Sequence, residues 1–296
     1  MNAISSSRDG AGSREILPAG ARFWVADKFR ETLAQHGWTS LDAVFACESG
    51  RDLAKPNLDR FRRRLQLDVQ PRGSRPVRLF LKRYDRPPWL AQMRNWLLHH
   101  HRRSYARMEG ETAETLAACG IPTPRVVACG EQWGLLFERR SFLITEEIPD
   151  SEALERRLPP CFDEAAPAGR AARRAFLRRL GAFIGRFHDT GFRHRDLYLS
   201  HIFCSRDGTF SLIDLARASR PVRQRRFQVK DIAQLHFSAP ATRVSRTDRL
   251  RFYLAYAGRH RLGPSDKVFL RRVVRKGVRM ARHSARHGTR IPFLGD

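Results

Sequence analysis

Cysteine is scarce in this chain. The five present, at positions 47, 119, 129, 161 and 204, form no CxxC pair and no metal-ligand spacing, which excludes a zinc module and points to a reducing compartment rather than a disulfide framework. Long apolar runs are also missing: no stretch approaches the roughly 18 residues that a bilayer-crossing helix needs. Residues 1–20 are rich in Ser, Gly and Ala and lack an apolar core, so they read as a flexible tail and not as a secretory signal. A cytoplasmic location follows. Acidic residues are the other shortage. Against 56 Lys and Arg stand only 30 Asp and Glu, a formal net charge of +26, an imbalance that favours anionic partners such as nucleic acid, phospholipid headgroups or a phosphate-bearing glycolipid. No internal repeat is visible.

The informative segment is His194-Arg195-Asp196-Leu197-Tyr198-Leu199-Ser200-His201, followed by Leu212-Ile213-Asp214-Leu215. It sets two carboxylates 18 positions apart around a strand–turn–strand pattern, the arrangement of a kinase catalytic centre. An attacking hydroxyl must be oriented, and partly relieved of its proton, by a fixed carboxylate, the role open to Asp196. Arg195, beside it, or Arg217 would steady the loop or an anionic acceptor. A second carboxylate, Asp214, suits Mg²⁺, which favours hard oxygen ligands and binds through one or two carboxylates plus substrate. In protein kinases the position five after the first Asp is a metal-binding Asn; here it is His201. His201 either coordinates a second metal weakly or hydrogen-bonds the loop.

A kinase also needs a lysine on the ATP phosphates and a glutamate to hold it. In Val77-Arg78-Leu79-Phe80-Leu81-Lys82-Arg83-Tyr84 the alternation places Val77, Leu79 and Leu81 on one strand face and Phe80 with Lys82 on the other. Lys82 is the candidate. A helix from about Tyr105 to Cys119, stopped by Gly120-Ile121-Pro122-Thr123-Pro124, carries both Glu109 and Glu111. Glu109 lies at helical spacing from Ala113 and Leu116 and is preferred, with Glu111 the competing choice. The glycine-rich phosphate loop is absent: Cys47-Glu48-Ser49-Gly50-Arg51, ahead of an Arg-rich strand at Arg60 to Leu67, has one glycine. The nucleotide roof is therefore degenerate or uses arginines. A hinge meeting adenine falls at Glu146, Glu147 and Ile148.

Together these residues resemble the lipopolysaccharide core kinase family, the heptose and Kdo kinases of Gram-negative bacteria. The carrying motifs are His194-Arg195-Asp196-x-Tyr198-x-x-His201, Ile213-Asp214-Leu215-x-Arg217-Ala218, Phe80-Leu81-Lys82-Arg83-Tyr84, Gly120-Ile121-Pro122-Thr123-Pro124 and Lys230-Asp231-Ile232-Ala233-Gln234-Leu235. The resemblance covers roughly residues 40 to 260. It implies an α+β, two-lobed, protein-kinase-like fold with a β-rich N-lobe and a helical C-lobe. It also implies ATP and Mg²⁺ as cofactors, and a lipopolysaccharide core or related glycolipid as acceptor, at the cytoplasmic face of the inner membrane. The residue matching Asp231 in such folds caps a helix and braces the catalytic loop. The expected domains are a tail at 1–20, an N-lobe at 21–146 and a C-lobe at 147–296.

Two basic segments point to an anionic membrane surface. From Arg271 to Arg290 there are eight Lys or Arg and no acid, with Leu270, Val274, Val278 and Ala281 spaced as an apolar stripe beside the arginines. Pro87 to Leu98 reads as an inserted helix presenting Trp89, Met93, Trp96 and Leu97. Each is equally readable as a helix packed on its lobe. Asp231 follows Asp214 by only 17 positions and no Ala-Pro-Glu follows, which leaves little room for the segment on which protein kinases lay a peptide. The alternatives are another small-molecule kinase of the same fold, or a basic nucleic-acid-binding protein on an inactive kinase scaffold. No specific nucleic acid is expected, because Lys82, Asp196 and Asp214 are all retained and no aromatic stacking motif lies within a basic stripe.

Overall fold

The computed structural model describes residues 15–17, 21–53, 60–71, 75–156, 158–159, 162–163 and 167–286. The chain forms two compact units, one of Met1–Glu114 with Pro124–Glu147, the other of Thr115–Thr123 with Ile148–Asp296.

The first unit is built on strands β1 (Glu15–Leu17), β2 (Ala21–Val25), β3 (Arg51–Asp52), β4 (Arg62–Val69), β5 (Val77–Asp85), β6 (Val126–Trp133) and β7 (Glu138–Glu146). They pair antiparallel in the order β1-β2-β6-β7-β5-β4-β3. Of the stretch read as a tail, Glu15–Leu17 forms β1 against β2; the rest lies outside the described residues. Alternation along β4 and β5 turns Leu65, Leu67, Leu79 and Leu81 to one face. There helices α1 (Asp27–Gln35) and α2 (Leu41–Ala46) close the core with Phe29, Leu33, Leu41 and Val44. The opposite face of β5 carries Lys82 and Tyr84 toward α4 (Tyr105–Ala118).

In the place of a phosphate loop, Gly50 has φ +106° and its Cα lies so close to β4 that a Cβ would stand 2.5 Å from the Gln66 carbonyl oxygen. This position accepts only glycine. Positions 54–59, between β3 and β4, lie outside the described residues.

Helix α3 (Trp89–His99) is inside out. Its buried residues are Gln92 (1 % exposed) and Asn95, while Leu90 (62 %), Leu97 (74 %), Trp89 and Met93 face outward. The Gln92 amide is bonded on both sides of one backbone residue: it donates to the Glu138 carbonyl (3.0 Å) and accepts from the Glu138 N–H (2.8 Å). Trp96 departs from the outward set expected for this helix. It is half-buried, its ring stacks on Trp133 and Phe137, and its Nε1–H donates to the Arg103 carbonyl at 2.9 Å. An indole with a buried partner for its N–H gains more inward than outward.

The N-terminus of α4 is held by Glu138, which accepts from the Tyr105 N–H (3.0 Å) and the Ser141 hydroxyl (2.5 Å). Burial pushes the Glu138 carboxyl up to about 7 despite those two donors. At the other end Gly120 (φ +74°) ends the helix, with the Ile121 N–H returning to the Leu116 carbonyl.

The second unit holds helices α5 (Pro167–Asp189), α6 (Gln224–Ser238), α7 (Arg246–Tyr256) and α8 (Pro264–Arg286), with a small sheet of β8 (Ser151–Ala153), β9 (Ile202–Ser205) and β10 (Phe210–Leu212). Leu177, Leu180, Phe183, Ile184 and Phe187 form the buried face of α5. On another face Gly181 meets the backbone of α7: a Cβ there would stand 2.5 Å from the Phe252 carbonyl oxygen and 2.8 Å from the Ala255 Cβ.

Of the apolar stripe expected on α8, Ala281 is buried, while the other three positions are displaced by one residue. The buried seam is Phe269, Val273, Gly277 and Ala281, whereas Val274 (48 % exposed) and Val278 face solvent and Leu270 is half-buried. Phe269 anchors the seam by stacking on Tyr253 at 5.7 Å. Gly277, which carries no apolar signal, lets the helix close on His236 of α6. Positions 287–290 of the expected helix lie outside the described residues.

Two measurements test these contacts. Gly181→Ala should lower stability by about 1–3 kcal/mol, because the overpacking at the α7 backbone outweighs the gain in helix propensity; an unchanged denaturation midpoint would refute the close approach. For Glu138 the folded form holds its proton up to about pH 7 while the unfolded chain releases it near pH 4.3, so stability falls as pH rises through that window, by roughly 4 kcal/mol in total. Glu138→Gln should remove that component, and the difference between wild-type and variant melting curves from about pH 4 to pH 8 reads it directly.

Candidate active site

Within the first unit Lys82 Nζ donates to Glu109 Oε1 at 2.5 Å, in a setting where the lysine side chain is 15 % exposed and the glutamate 5 %. The second carboxylate oxygen of Glu109 accepts from Tyr84 Oη at 3.1 Å. Of the two glutamates left open by the sequence, Glu109 is thus the one at Lys82. Glu111 lies on another face, with Arg107 (2.8 Å) and Arg103. Tyr84, two positions after Lys82 on the same strand face, was not singled out from the sequence; the period of two would have found it. At the expected hinge the Glu146 N–H donates to the Arg125 carbonyl and the Glu147 N–H to the Arg78 carbonyl. The Glu147 carboxylate meets Arg78 at 3.1 Å, and the Ile148 carbonyl accepts from the Ser151 hydroxyl.

In the second unit the loop after α5 is shaped from beneath by one helix. Asp231, fully buried in the middle of α6, accepts from two successive backbone N–H groups, His194 (Oδ2, 2.8 Å) and Arg195 (Oδ1, 2.7 Å). Its expected role as a helix cap is therefore corrected, since the N-cap of α6 is Arg223. What Asp231 caps is the loop. One turn on, Gln234 accepts from the Leu197 N–H (3.1 Å) and donates to the Arg195 carbonyl (3.1 Å). One turn further, Ser238 Oγ accepts from the Leu199 N–H (3.0 Å). Lys230 also donates to the Arg195 carbonyl. These positions, 231, 234 and 238, follow the 3.6-residue period, so one stripe of α6 answers the backbone of the whole loop. The sequence flagged Lys230 to Leu235 as a unit without assigning Gln234 or Lys230 a role, because polar residues at helical spacing look like a solvated face.

Held this way, Arg195 adopts φ +70°. Its guanidinium lies 4.8 Å from the Phe227 ring. The Asp196 carboxylate is met by one nitrogen of Arg217 at 3.1 and 3.0 Å, with Lys230 Nζ at 3.7 Å. Burial pulls the Lys230 ammonium below the usual lysine range, with Asp196 opposing that shift. His194 is fully buried, held neutral by desolvation, and its Nε2–H donates to the Ile213 carbonyl at 3.0 Å. That bond ties the catalytic loop to the segment bearing the second carboxylate.

Strand β10 ends at Leu212, two residues before Asp214. Asp214 turns the chain with φ +58° into a 3₁₀ turn at Leu215–Arg217, a left-handed conformation that Asp tolerates better than branched residues. His201 joins the two carboxylate segments: its Nδ1 lies 2.7 Å from the Asp196 carbonyl oxygen, and its Nε2 lies 3.8 Å from Asp214 Oδ2. Because a carbonyl only accepts, Nδ1 carries the proton. In the neutral ring Nε2 then presents a lone pair beside the Asp214 carboxylate. Among the described residues no three His, Cys, Asp or Glu side chains converge as a metal cage. A Mg²⁺ ion fits the pair nonetheless, since Mg²⁺ is held by one or two carboxylates with waters and substrate phosphates completing its shell.

The sequence profile of the lipopolysaccharide kinase (Kdo/WaaP) family matches residues 62–256. The lipopolysaccharide core heptose(I) kinase WaaP of Pseudomonas aeruginosa is 30 % identical over 227 residues, 74 % of this chain and 82 % of that protein. The corresponding Escherichia coli (strain K12) kinase is 30 % identical over 162 residues, covering 52 % and 60 %. The solved structure of WaaP in complex with acyl carrier protein superposes with a TM-score of 0.63 at 25 % identity, over 87 % of this chain and 98 % of that one. The fold is thus protein-kinase-like. With two thirds of its length matched, the chain belongs to the lipopolysaccharide kinase (Kdo/WaaP) family and is a phosphotransferase acting on a sugar hydroxyl.

Proposed function

We propose that the protein transfers the γ-phosphate of ATP to a heptose hydroxyl of the lipopolysaccharide inner core. The observation that carries this reading is the position of His201 between the two carboxylate segments, its Nδ1 bonded to the Asp196 carbonyl and its Nε2 3.8 Å from Asp214 Oδ2. The choice of heptose over Kdo follows the names of the two bacterial relatives. Lys82, fixed by Glu109 and Tyr84, contacts the ATP phosphates. Since the Glu146 and Glu147 N–H groups are spent on the Arg125 and Arg78 carbonyls, adenine is left to the Ile148 N–H and the neighbouring carbonyls. Asp214 with His201 Nε2 would hold Mg²⁺, which when bound neutralises charge on the phosphate oxygens. Asp196 takes the hydrogen bond of the acceptor hydroxyl and receives its proton as the bond from that oxygen to the γ-phosphorus forms and the bond to the β–γ bridging oxygen breaks, with ADP leaving. Arg217 and Lys230 hold that carboxylate in place. Arg195 contributes mainly its backbone, which is bonded on both sides to α6.

The acceptor is a membrane glycolipid, and the outward face of α3 suits an anionic membrane surface at the cytoplasmic side. Trp89, Leu90, Met93 and Leu97 are exposed there with Arg86 and Arg94 beside them. Exposed Leu135 and Leu136 of the β6–β7 turn share a concavity with Trp89. Apolar anchors rimmed by arginine bind acidic headgroups by area and charge together. Among the described residues no helix is long and apolar enough to cross a membrane.

Asp196→Ala should reduce transfer of labelled γ-phosphate onto lipopolysaccharide core by about 10²–10⁴-fold while ATP affinity changes little; comparable turnover would refute the role of Asp196. Sedimentation with phosphatidylglycerol vesicles should capture the protein where phosphatidylcholine vesicles do not, and the Trp89→Ser/Leu97→Ser double variant should bind about tenfold more weakly. Equal binding by the variant would remove α3 from the membrane contact.

A further inference from the structure

Between α6 and α8 lies a cleft of about 610 Å³ whose lining is almost entirely cationic. Arg272, Arg275, Lys276 and Arg279 of α8 face Arg225 and Arg226 of α6 across it, and no acidic residue contributes to the wall. Among the described residues none of these six cations forms an ion pair with a carboxylate. The spacing on α8 sets like charges at i,i+3 and i,i+4, where they repel one another. Packing does not require this, since the buried seam of α8 is Phe269, Val273, Gly277 and Ala281. The charge therefore calls for a ligand.

The cleft also has a direction. Lys230, which lines it, reaches the Arg195 carbonyl and lies 3.7 Å from Asp196 Oδ1. Phe227, also in the lining, sits under the Arg195 guanidinium. One end of the cationic wall is thus a single side chain from the carboxylate assigned to the acceptor hydroxyl. The volume falls in the range of small-ligand sites, and its concavity suits a compact polyanion and excludes a flat bilayer. Planar, forked guanidinium groups recognise phosphate and carboxylate in pairs.

We infer that this cleft binds the anionic part of the acceptor, a saccharide bearing closely spaced phosphate or carboxylate groups, and holds it so that a neighbouring hydroxyl falls at Asp196. The name of the ligand rests on the kinase reading above; the existence of a polyanion site does not.

The test uses the full-length protein, with inositol hexakisphosphate as a soluble probe in titration calorimetry. Wild type and Lys82→Met should bind it alike, Arg272→Gln/Arg275→Gln/Arg279→Gln should bind at least about 30-fold more weakly, and the corresponding triple Lys variant should retain most of the affinity. In the transfer assay the Gln variant should show an apparent KM for lipopolysaccharide core raised about tenfold or more, with Mg-ATP affinity within about twofold of wild type. Undiminished binding of the probe by the Gln variant, or an unchanged KM for the core, would overturn the inference. So would loss of binding to phosphatidylglycerol vesicles alone, or to a DNA duplex alone, with the probe still held, because the arginines would then form a surface patch. Probe binding that depends on the three arginines in a protein that phosphorylates no core would keep the cleft and discard the kinase reading.

Discussion

The catalytic loop depends on one buried carboxylate. Asp231 has no access to water and spends both oxygens on adjacent loop N–H groups. Hydrogen bonds to a charged group are worth about 1.5–3 kcal/mol each, enough to hold Arg195 in a left-handed conformation that a free loop would leave. The Arg195 carbonyl then turns toward Lys230 and Gln234, and Asp196 is delivered to Arg217. His188 sits on the far side of Asp231 at 3.2 Å, kept neutral by burial. The Asp231 carboxylate is thus satisfied by two loop amides and His188, with the guanidinium of buried Arg193 in its field.

Positive charge lies against the Asp196 carboxylate without filling its place. Asp196 meets Arg217 and Lys230, while Asp214 meets the imidazole of His201. Such a setting raises the local concentration of anionic substrates. It also makes association sensitive to salt, since an exposed cation is screened within about 10 Å at 0.1 M ionic strength.

Much of this was legible in the sequence, for identifiable reasons. The strand of Lys82 shows in its alternation, and the helix of Glu109 is a local pattern closed by a strong stop signal at Gly120. The residues from His194 to Asp214 carry a spacing that only a fixed chemistry explains. What escaped reading was decided by tertiary contact. The seam of α8 runs through a glycine because that is where His236 approaches. Trp96 turned inward because Trp133, Phe137 and a backbone carbonyl awaited it. The helpers on α6 have side chains that a helical wheel assigns to solvent, and only the presence of a loop with unpaired amides makes them structural.

Gln92 extends the β7 ladder by one rung, its amide taking the place of a neighbouring strand at Glu138. A helix fastened by a polar mimic of backbone, and not by its oily side, leaves that side without a structural duty. Substitutions there change what the surface meets while the sheet beneath keeps its register. In α3, therefore, the requirements of folding and those of contact fall on different residues, and each set is free to drift without the other.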